Sequence, residues 1–170
     1  MPGPTGLSEA YKNVIGLRAL RQFDGRPLSD PDLHAILEAA RWTGTSKNRQ
    51  DWGLVVVTDP EQKDRLAACG DFTDPVRNAP LAIALVQEPN GYEFDMGRLA
   101  QNIMLAASSI GVATCPVTFH RSDDAGQVLG IPTGARCRYG VVAGYPTQSS
   151  RPSKRDGRMG FDSFVHWNSY

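Results

Sequence analysis

Several features that define whole classes of protein are missing or scarce in this chain. It has only three cysteines, Cys69, Cys115 and Cys137, with no CxxC pair and no cysteine–histidine spacing typical of a zinc site. A disulfide framework and a structural metal are therefore not expected. The three histidines are isolated from one another and from any carboxylate motif, so no metal site is predicted from them. The reducing cytoplasm is the compartment that fits this cysteine content best.

An excess of charge and a long apolar run are also absent. Eighteen lysines and arginines balance eighteen aspartates and glutamates, which argues against a nucleic-acid partner bound by a broad basic field. No apolar stretch approaches the ~18 residues needed to cross a bilayer, so no membrane association is predicted. No GxGxxG follows a strand and no GxxxxGK[ST] occurs, which disfavours dinucleotide-binding Rossmann and P-loop folds.

The composition is that of an ordinary packed globule. Of the 170 residues, 41% are hydrophobic and 21% are charged, which predicts one domain with a substantial core over residues 1–170. Residues 1–6 are rich in proline and glycine and are predicted to be a disordered leader. Residues 147–170 begin with a stretch rich in serine, proline and charge, and are predicted to be an extended arm that leaves the globule.

Hydrophobic periodicity predicts helices that alternate with buried strands. Ser29 is a good N-cap for the second helix, and Gly111 ends the longest one. Residues 113–119, ATCPVTF, can be a loop or a short strand. The predicted fold class is α+β, with a mixed sheet flanked by helices. The predicted helices are residues 7–20, 27–42, 61–69, 94–110 and 123–129, and the predicted strands are 54–58, 81–86 and 138–145.

Small side chains recur along the longest predicted helix, among them Gly97, Ala100 and Ala107. They permit another helix to approach closely. Spacing alone leaves two interpretations open, tight packing within one domain and a dimer interface.

Two arginines near the end of the first predicted helix are candidates for an anion site. Arg18 and Arg21 are three residues apart, so on a helix they share one side and can both reach one phosphate. The alternative is a pair of solvated surface arginines, which this spacing produces often.

The polar loop at residues 43–50 is a second candidate ligand site. It precedes a buried strand, and loops at the edge of a sheet commonly carry ligand contacts. Asn48 and Gln50 can hydrogen-bond the edge of a heteroaromatic ring, while Ser46 or Lys47 takes a phosphate or ribityl oxygen. A polar turn without a ligand is the alternative.

Taken in order, six segments resemble the nitroreductase (flavin reductase-like) family over nearly the whole chain. None of them is specific alone, but their order is hard to obtain by chance. They are RALRQF at 18–23, EAARWTGTSKNRQDW at 38–52, NAP at 78–80, FDMGRLAQNIMLAASSIGVATCP at 94–116, GYP at 144–146 and GRMGFDSFVHW at 157–167.

The resemblance implies an FMN-binding homodimer whose subunits exchange C-terminal arms and hold two flavins in their interface. By motif, Arg18, Ala19 and Arg21 would approach the FMN phosphate and ribityl chain, with Arg158 adding charge from the arm. The other subunit would supply its loop, including Ser46, Lys47, Asn48 and Gln50. The turn formed by Thr114, Cys115, Pro116 and Val117 would place backbone groups beside the flavin ring.

The resemblance implies an NAD(P)H-driven reductase of nitroaromatic or quinone-type acceptors, working by ping-pong hydride transfer with NADH or NADPH as donor. Two alternatives keep the flavin, an FMN-dependent dehydrogenase or oxidase of a biosynthetic pathway and a non-catalytic flavin-binding module. A fourth possibility is an α/β domain unrelated to flavin. No general acid or base is assigned from the sequence. The segment 87–94 is short compared with some members, which predicts an open substrate site.

Overall fold

Seven helices and four strands occupy the part of the chain that the computed structural model describes, residues 8–153 and 157–170. The predicted leader at 1–6 lies outside these residues. The helices are α1 (Glu9–Gly16), α2 (Asp30–Arg41), α3 (Pro60–Ala67), α4 (Asp74–Asn78), α5 (Glu93–Ser109), α6 (Ser122–Leu129) and α7 (Phe161–Phe164). The strands are β1 (Trp52–Val57), β2 (Leu81–Gln87), β3 (Ala113–Thr118) and β4 (Arg136–Gly144).

The four strands form one sheet in the order β1-β2-β4-β3. Val55 lies opposite Ala84, Ile83 opposite Val141, and Val141 opposite Pro116, and all three strand pairs are antiparallel. The expectation of a mixed sheet is therefore wrong for the described strands. The chain reverses through α3 and α4 between β1 and β2, and β4 inserts between β2 and β3, which run in the same direction. Of residues 113–119, Ala113–Thr118 form strand β3, which confirms the strand alternative.

Helices cover both faces of this sheet, so each face has its own core. On one face, α2 and α5 pack Ile36, Leu99 and Ile103 against strand residues such as Ile83. On the other face, α3, α4 and α6 pack against a cluster that includes Phe119, which is fully buried. The predicted α+β architecture is confirmed in this layered form.

Local sequence signals explain most helix ends. Ser29 caps α2, because its hydroxyl accepts a hydrogen bond from the Asp32 N–H at 3.3 Å, and Asp59 caps α3 in the same way. The short helix α4 was not predicted, because five residues are too few to display periodicity. Among the described helices, none is both long and apolar enough to cross a bilayer.

The first helix is shorter than the sequence predicts. It ends at Gly16, and Leu17 is extended with φ −57° and ψ 129°. The following segment runs beside β3, where the Leu20 N–H donates to the Thr114 carbonyl at 2.9 Å. This tertiary pairing replaces the helical hydrogen bonds that residues 17–20 would otherwise make.

The arm does not leave the globule at its predicted start. The Thr147 N–H donates to the Gln22 carbonyl at 3.4 Å, and Ser150 is buried. The described part beyond residue 156 is exposed apart from Val165, which is half-buried. The first seven residues of the predicted arm therefore belong to the globule.

Candidate functional site

A groove runs along one side of α5, between that helix, the segment that follows α1, and β3. Its larger cavity has a volume of about 520 Å³, within the range typical of small-molecule sites. The residues that line it are Val14, Ile15, Leu17, Arg18, Ala19, Gln101, Met104, Pro116 and Arg158.

A second cavity of about 290 Å³ continues this groove and shares Pro116 with the first. The α5 residues that line the two cavities recur at three and four residues and so lie on one face of the helix; they are Glu93, Met96, Gly97, Ala100, Gln101 and Met104. The two small side chains leave space where larger ones would fill it. We call these two cavities together the α5 groove.

Two arginines, Arg18 and Arg158, mark one end of the α5 groove. The Arg18 Nη1 group donates to the carbonyls of Ile15 at 2.9 Å and Leu17 at 2.8 Å. Within residues 8–153 and 157–170, neither Arg18 nor Arg158 forms an ion pair with a carboxylate. Both line the large cavity, and both line a smaller one beside it. Two guanidinium groups without a counter-charge suit an anion such as a phosphate.

An orphaned hydroxyl adds to this end of the site. A cavity of about 300 Å³ lies beside residues 16–20, and it is lined by Arg18, Thr114 and Ser150 among others. The Ser150 Oγ atom is buried and has no hydrogen-bond partner among the described residues. Because buried polar atoms are nearly always paired, this hydroxyl fits a ligand or a neighbouring chain that supplies the missing partner.

Arg21 departs from the expectation that it shares one side with Arg18. The two residues lie on an extended segment, where residues three apart face opposite sides. Arg21 lines none of the described cavities, and its Nη1 group donates to the Ser153 Oγ at 3.3 Å. Ala19, in contrast, lines the large cavity next to Arg18. The structure thus places Arg18, Ala19 and Arg158 together, and Arg21 contacts Ser153, which borders the smaller cavity that Arg18 and Arg158 share.

The residues Thr114 to Val117 form strand β3, not the predicted turn, and they alternate between the two faces of the sheet. Pro116 faces the α5 groove and lines both of its cavities. Cys115 lies in the core of the opposite face, where burial raises the pKa of its thiol. The Cys115 side chain therefore points away from the groove, and the prediction that backbone groups of residues 114–117 lie beside the flavin ring stays a prediction. Val117 also belongs to that core, although it borders the smaller cavity.

The loop at 43–51 is fixed against the N-terminal half of α5. The Asn102 Nδ2 group donates to the buried Thr43 Oγ1 at 2.8 Å, and Arg98 donates to the Gly44 carbonyl. Arg49 donates to Asp51 Oδ2 at 2.7 Å. These contacts hold the loop in one position relative to the groove.

The tip of this loop has a strained backbone. Lys47, Asn48 and Gln50 each have a φ of 54°, a region that side chains with a Cβ rarely adopt. Their side chains are exposed, as is that of Ser46, and none of the four lines a described cavity of the same chain. Strain of this kind concentrates at functional sites. One protomer alone does not bring this loop to Arg18.

Sequence reasoning missed several groups that border the groove. Gln101 and Met104 line the larger cavity, and their helical spacing with Gly97 was the signal that could have identified them. At the far end, the Tyr139 hydroxyl donates to Glu93, which raises the pKa of Tyr139. The two residues of this pair are 46 positions apart in the chain, so no local sequence pattern could predict their contact.

Several known proteins are similar in sequence to this chain. A family model described as the nitroreductase family matches residues 16–69 and 73–145. A protein from Archaeoglobus fulgidus assigned as an NADH dehydrogenase or NAD(P)H nitroreductase is 27% identical, and the match covers 92% of this chain and 96% of that protein. The NADPH-flavin oxidoreductase of Vibrio harveyi is 24% identical over 96% of this chain and 75% of its own length.

A solved structure shows the same fold. Nitroreductase A from Vibrio parahaemolyticus superposes with a TM-score of 0.86 at 24% identity, covering 97% of this chain and 77% of that one. At this identity the likeness concerns the fold alone. The family model spans most of the chain and includes the segments that form both sides of the groove, and we conclude that this chain belongs to the nitroreductase family.

Proposed function

We propose that this chain is an FMN-dependent oxidoreductase that takes electrons from NADH or NADPH and passes them to nitroaromatic or quinone-type acceptors by ping-pong hydride transfer. The observation that carries the proposal is the α5 groove, a ligand-sized channel with two arginines at one end that form no ion pair among the described residues. The names of the relatives support the flavin and the nicotinamide donor, since they include an FMN reductase (NADPH) from Bacillus subtilis.

The residues of the groove suit FMN in their chemistry. Arg18 and Arg158 would bind the phosphate through charge-assisted hydrogen bonds, and the Ser150 hydroxyl is available as a further donor. Gln101 offers an amide that can both donate and accept, as a ribityl hydroxyl or a ring edge requires. Pro116 gives the wall an apolar surface. FMN, when bound, supplies the two-electron exchange between donor and acceptor.

The protein's own contribution is binding and exclusion of water. Met104, Ala100 and Pro116 surround the groove with apolar atoms, which lowers the local dielectric and strengthens the contacts of the arginines. An acceptor would enter through the smaller cavity at the Glu93 end. The short connection between β2 and α5 supports this placement.

A second copy of the chain completes the proposed site. The described C-terminal residues expose an apolar row, Met159, Phe161, Phe164 and Trp167, each with 66% to 76% of its surface accessible. A row of this size favours a covering partner. We propose a homodimer with exchanged arms, in which the loop of one subunit brings Ser46, Lys47, Asn48 and Gln50 to the groove of the other. The three buried, unpaired thiols suit the cytoplasm.

The experiment is reconstitution of the purified protein with FMN, followed by anaerobic addition of NADH or NADPH. We expect visible flavin absorption after removal of free FMN, bleaching by the donor, and recovery on addition of a menadione-type quinone. Light scattering on the same sample should give the mass of two chains. A colourless protein that takes up no FMN would overturn the proposal. A bound flavin that neither donor reduces would leave only a binding module and would contradict the assigned activity.

A further inference from the structure

A cavity outside the α5 groove carries positive charge of its own. It has a volume of about 300 Å³ and is lined by Thr118, His120, Ser122, Arg136 and Arg138. Thr118 also lines the smaller cavity of the α5 groove. The two spaces are therefore neighbours at the Glu93 end, opposite the arginines proposed for FMN. We call this space the β3–β4 basic cavity.

The strand geometry explains why these side chains meet. Pro116, Thr118 and His120 are alternate residues along β3 and its continuation, so they are expected on one face. The Phe119 N–H still donates to the Arg138 carbonyl at 2.8 Å, which extends the pairing beyond the end of the strand. Arg136 and Arg138 are alternate residues of β4 on the adjoining strand. At about 3.3 Å per residue, His120 lies roughly 13 Å from Pro116.

The arginines of this cavity are only partly neutralised. Arg136 forms no ion pair among the described residues. Arg138 approaches Glu93 at 3.5 Å, with 55% of its side chain exposed, and Glu93 also accepts the hydrogen bond of Tyr139. Of the two arginines, only Arg138 thus has a carboxylate beside it among the described residues. The excess positive charge favours a ligand with at least one phosphate.

His120 is fixed in position beside the arginines. Its Nδ1 atom accepts a hydrogen bond from the Asp71 N–H at 3.2 Å, and the Asp71 carboxylate is itself bound by Arg121 at 2.8 Å. The Nε2 atom remains to donate to a ligand, since Nδ1 is already an acceptor. The hydroxyls of Thr118 and Ser122 provide further donors at the cavity wall.

An exposed aromatic ring lies next to this basic cavity. Phe72 has 85% of its surface accessible, and its ring meets that of His120 edge-on with centroids 6.3 Å apart and an interplanar angle of 71°. A phenylalanine gains nothing from solvent, whereas its face can stack with a planar base. Side chains that donate hydrogen bonds to phosphate, next to an exposed aromatic ring, suit the phosphate and the base of a nucleotide.

We propose that the β3–β4 basic cavity binds the phosphates of the nicotinamide dinucleotide donor, with Arg136 and Arg138 as the phosphate ligands and Phe72 as the surface on which the adenine stacks. This inference rests on the proposed function, which makes that dinucleotide the electron donor. The adenosine half is held beyond the end of the α5 groove, so the nicotinamide half can enter the smaller cavity of the groove, which shares Thr118 with the basic cavity.

The test is calorimetric titration of the purified full chain with adenosine 2′,5′-bisphosphate at low salt. Loss of a charge-assisted hydrogen bond weakens binding by about tenfold or more, so the Arg136→Gln/Arg138→Gln double variant should raise the Kd at least that much. Arg65→Gln is the matched control, because Arg65 is an exposed arginine on α3 without an ion pair among the described residues. It should leave the Kd unchanged.

Two further titrations separate the aromatic half of the site from its arginines. One uses the Phe72→Ala variant, and the other uses adenosine, which has no phosphate. Phe72→Ala should weaken the bisphosphate by about five- to tenfold without changing the thermal unfolding midpoint, since this ring is exposed. Adenosine should bind far more weakly than the bisphosphate. Equal Kd values for the parent and the double arginine variant, or for adenosine and its bisphosphate, would overturn the proposal.

The titration requires no flavin, so its outcome is separable from that of the proposed function. If the protein takes up FMN and is reduced by NADPH, but the double arginine variant binds the bisphosphate as tightly as the parent, the proposed function stands and the proposed site is wrong. If the protein takes up no FMN, but the double variant binds the bisphosphate more weakly than the parent, the proposed site stands and the proposed function is wrong.

Discussion

Two groups of arginines in this chain have very different surroundings. Arg41 is bound through two nitrogens to the carboxylate of Glu38, at 2.5 and 2.7 Å, and Arg49 is bound to Asp51. Arg18 and Arg158 lie at a cavity and have no such carboxylate among the described residues. Paired arginines hold local structure in place, whereas arginines that face a cavity without a counter-charge are available to a ligand.

The largest expected effect is on FMN affinity. Arg18→Gln removes a charged donor from the proposed phosphate site, and the Kd for FMN should rise roughly ten- to hundredfold. Quenching of flavin fluorescence during titration measures it. Arg41→Gln, which removes an arginine already paired with Glu38, should leave the Kd unchanged. Equal effects of the two substitutions would erase the distinction between the two groups.

The second prediction concerns the loop at 43–51, where paired polar groups should stabilise the fold. Thr43→Val removes the acceptor of the Asn102 amide and should lower the free energy of unfolding by about 1–3 kcal/mol, measured by urea denaturation. In the Thr43→Val/Asn102→Leu double variant, the loss should be smaller than the sum of the two single losses. Additive losses would show that the 2.8 Å contact contributes no coupling.

The strained loop tip should respond to glycine. Lys47→Gly relieves a φ of 54°, and this relief outweighs the added flexibility of the unfolded chain, so the free energy of unfolding should rise by about 0.5 kcal/mol. Lys47→Val should lower it, because a β-branched residue fits this region poorly. Thermal unfolding of the two variants gives the comparison. Lower stability of the glycine variant would exclude backbone strain at this position.

The smallest effect concerns the pH dependence of the Glu38–Arg41 pair. Hydrogen bonds from Arg41 and then Trp42 lower the pKa of Glu38 from 4.5 to about 2. A folded-state pKa below the unfolded value stabilises the fold above about pH 4.5, and this contribution disappears as the pH falls through 2. In Glu38→Gln, unfolding midpoints between pH 5 and 2 should vary less than in the parent. Parallel pH profiles would contradict the pairing.

Much of the layered fold follows from periodicity. The apolar stripes of α2 and α5 and the buried runs of β1 and β2 are visible in the sequence, and their ends fall within a few residues of the predicted positions. The end of α1 was not predictable, because the hydrogen bond from Leu20 to Thr114 joins residues far apart in the chain. The antiparallel order of the sheet likewise depends on β4, which comes last and inserts in the middle.

Some residues of the candidate site could likewise be predicted from the sequence, and others could not. Arg18 was a candidate from its spacing with Arg21, and Arg158 from the family resemblance alone. Their meeting at one cavity depends on the path of the chain between them. Gln101 and Met104 follow from helical spacing once α5 is known to border a groove. The turn predicted at residues 114–117 is part of strand β3, and the Cys115 side chain lies on the face opposite the groove. Successive side chains of a strand point to opposite faces of the sheet, and the predicted turn did not include this alternation.

Hydrogen–deuterium exchange with and without saturating FMN tests the central claim most directly, because it locates the flavin without any substitution. We expect protection at residues 14–19, 100–104 and 114–118 and at Arg158, the segments that form the larger cavity of the α5 groove. The α3–α4 region on the opposite face should exchange at the same rate in both samples. Protection confined to that opposite face, or none in the α5 groove, would contradict the placement of FMN between α5 and Arg18.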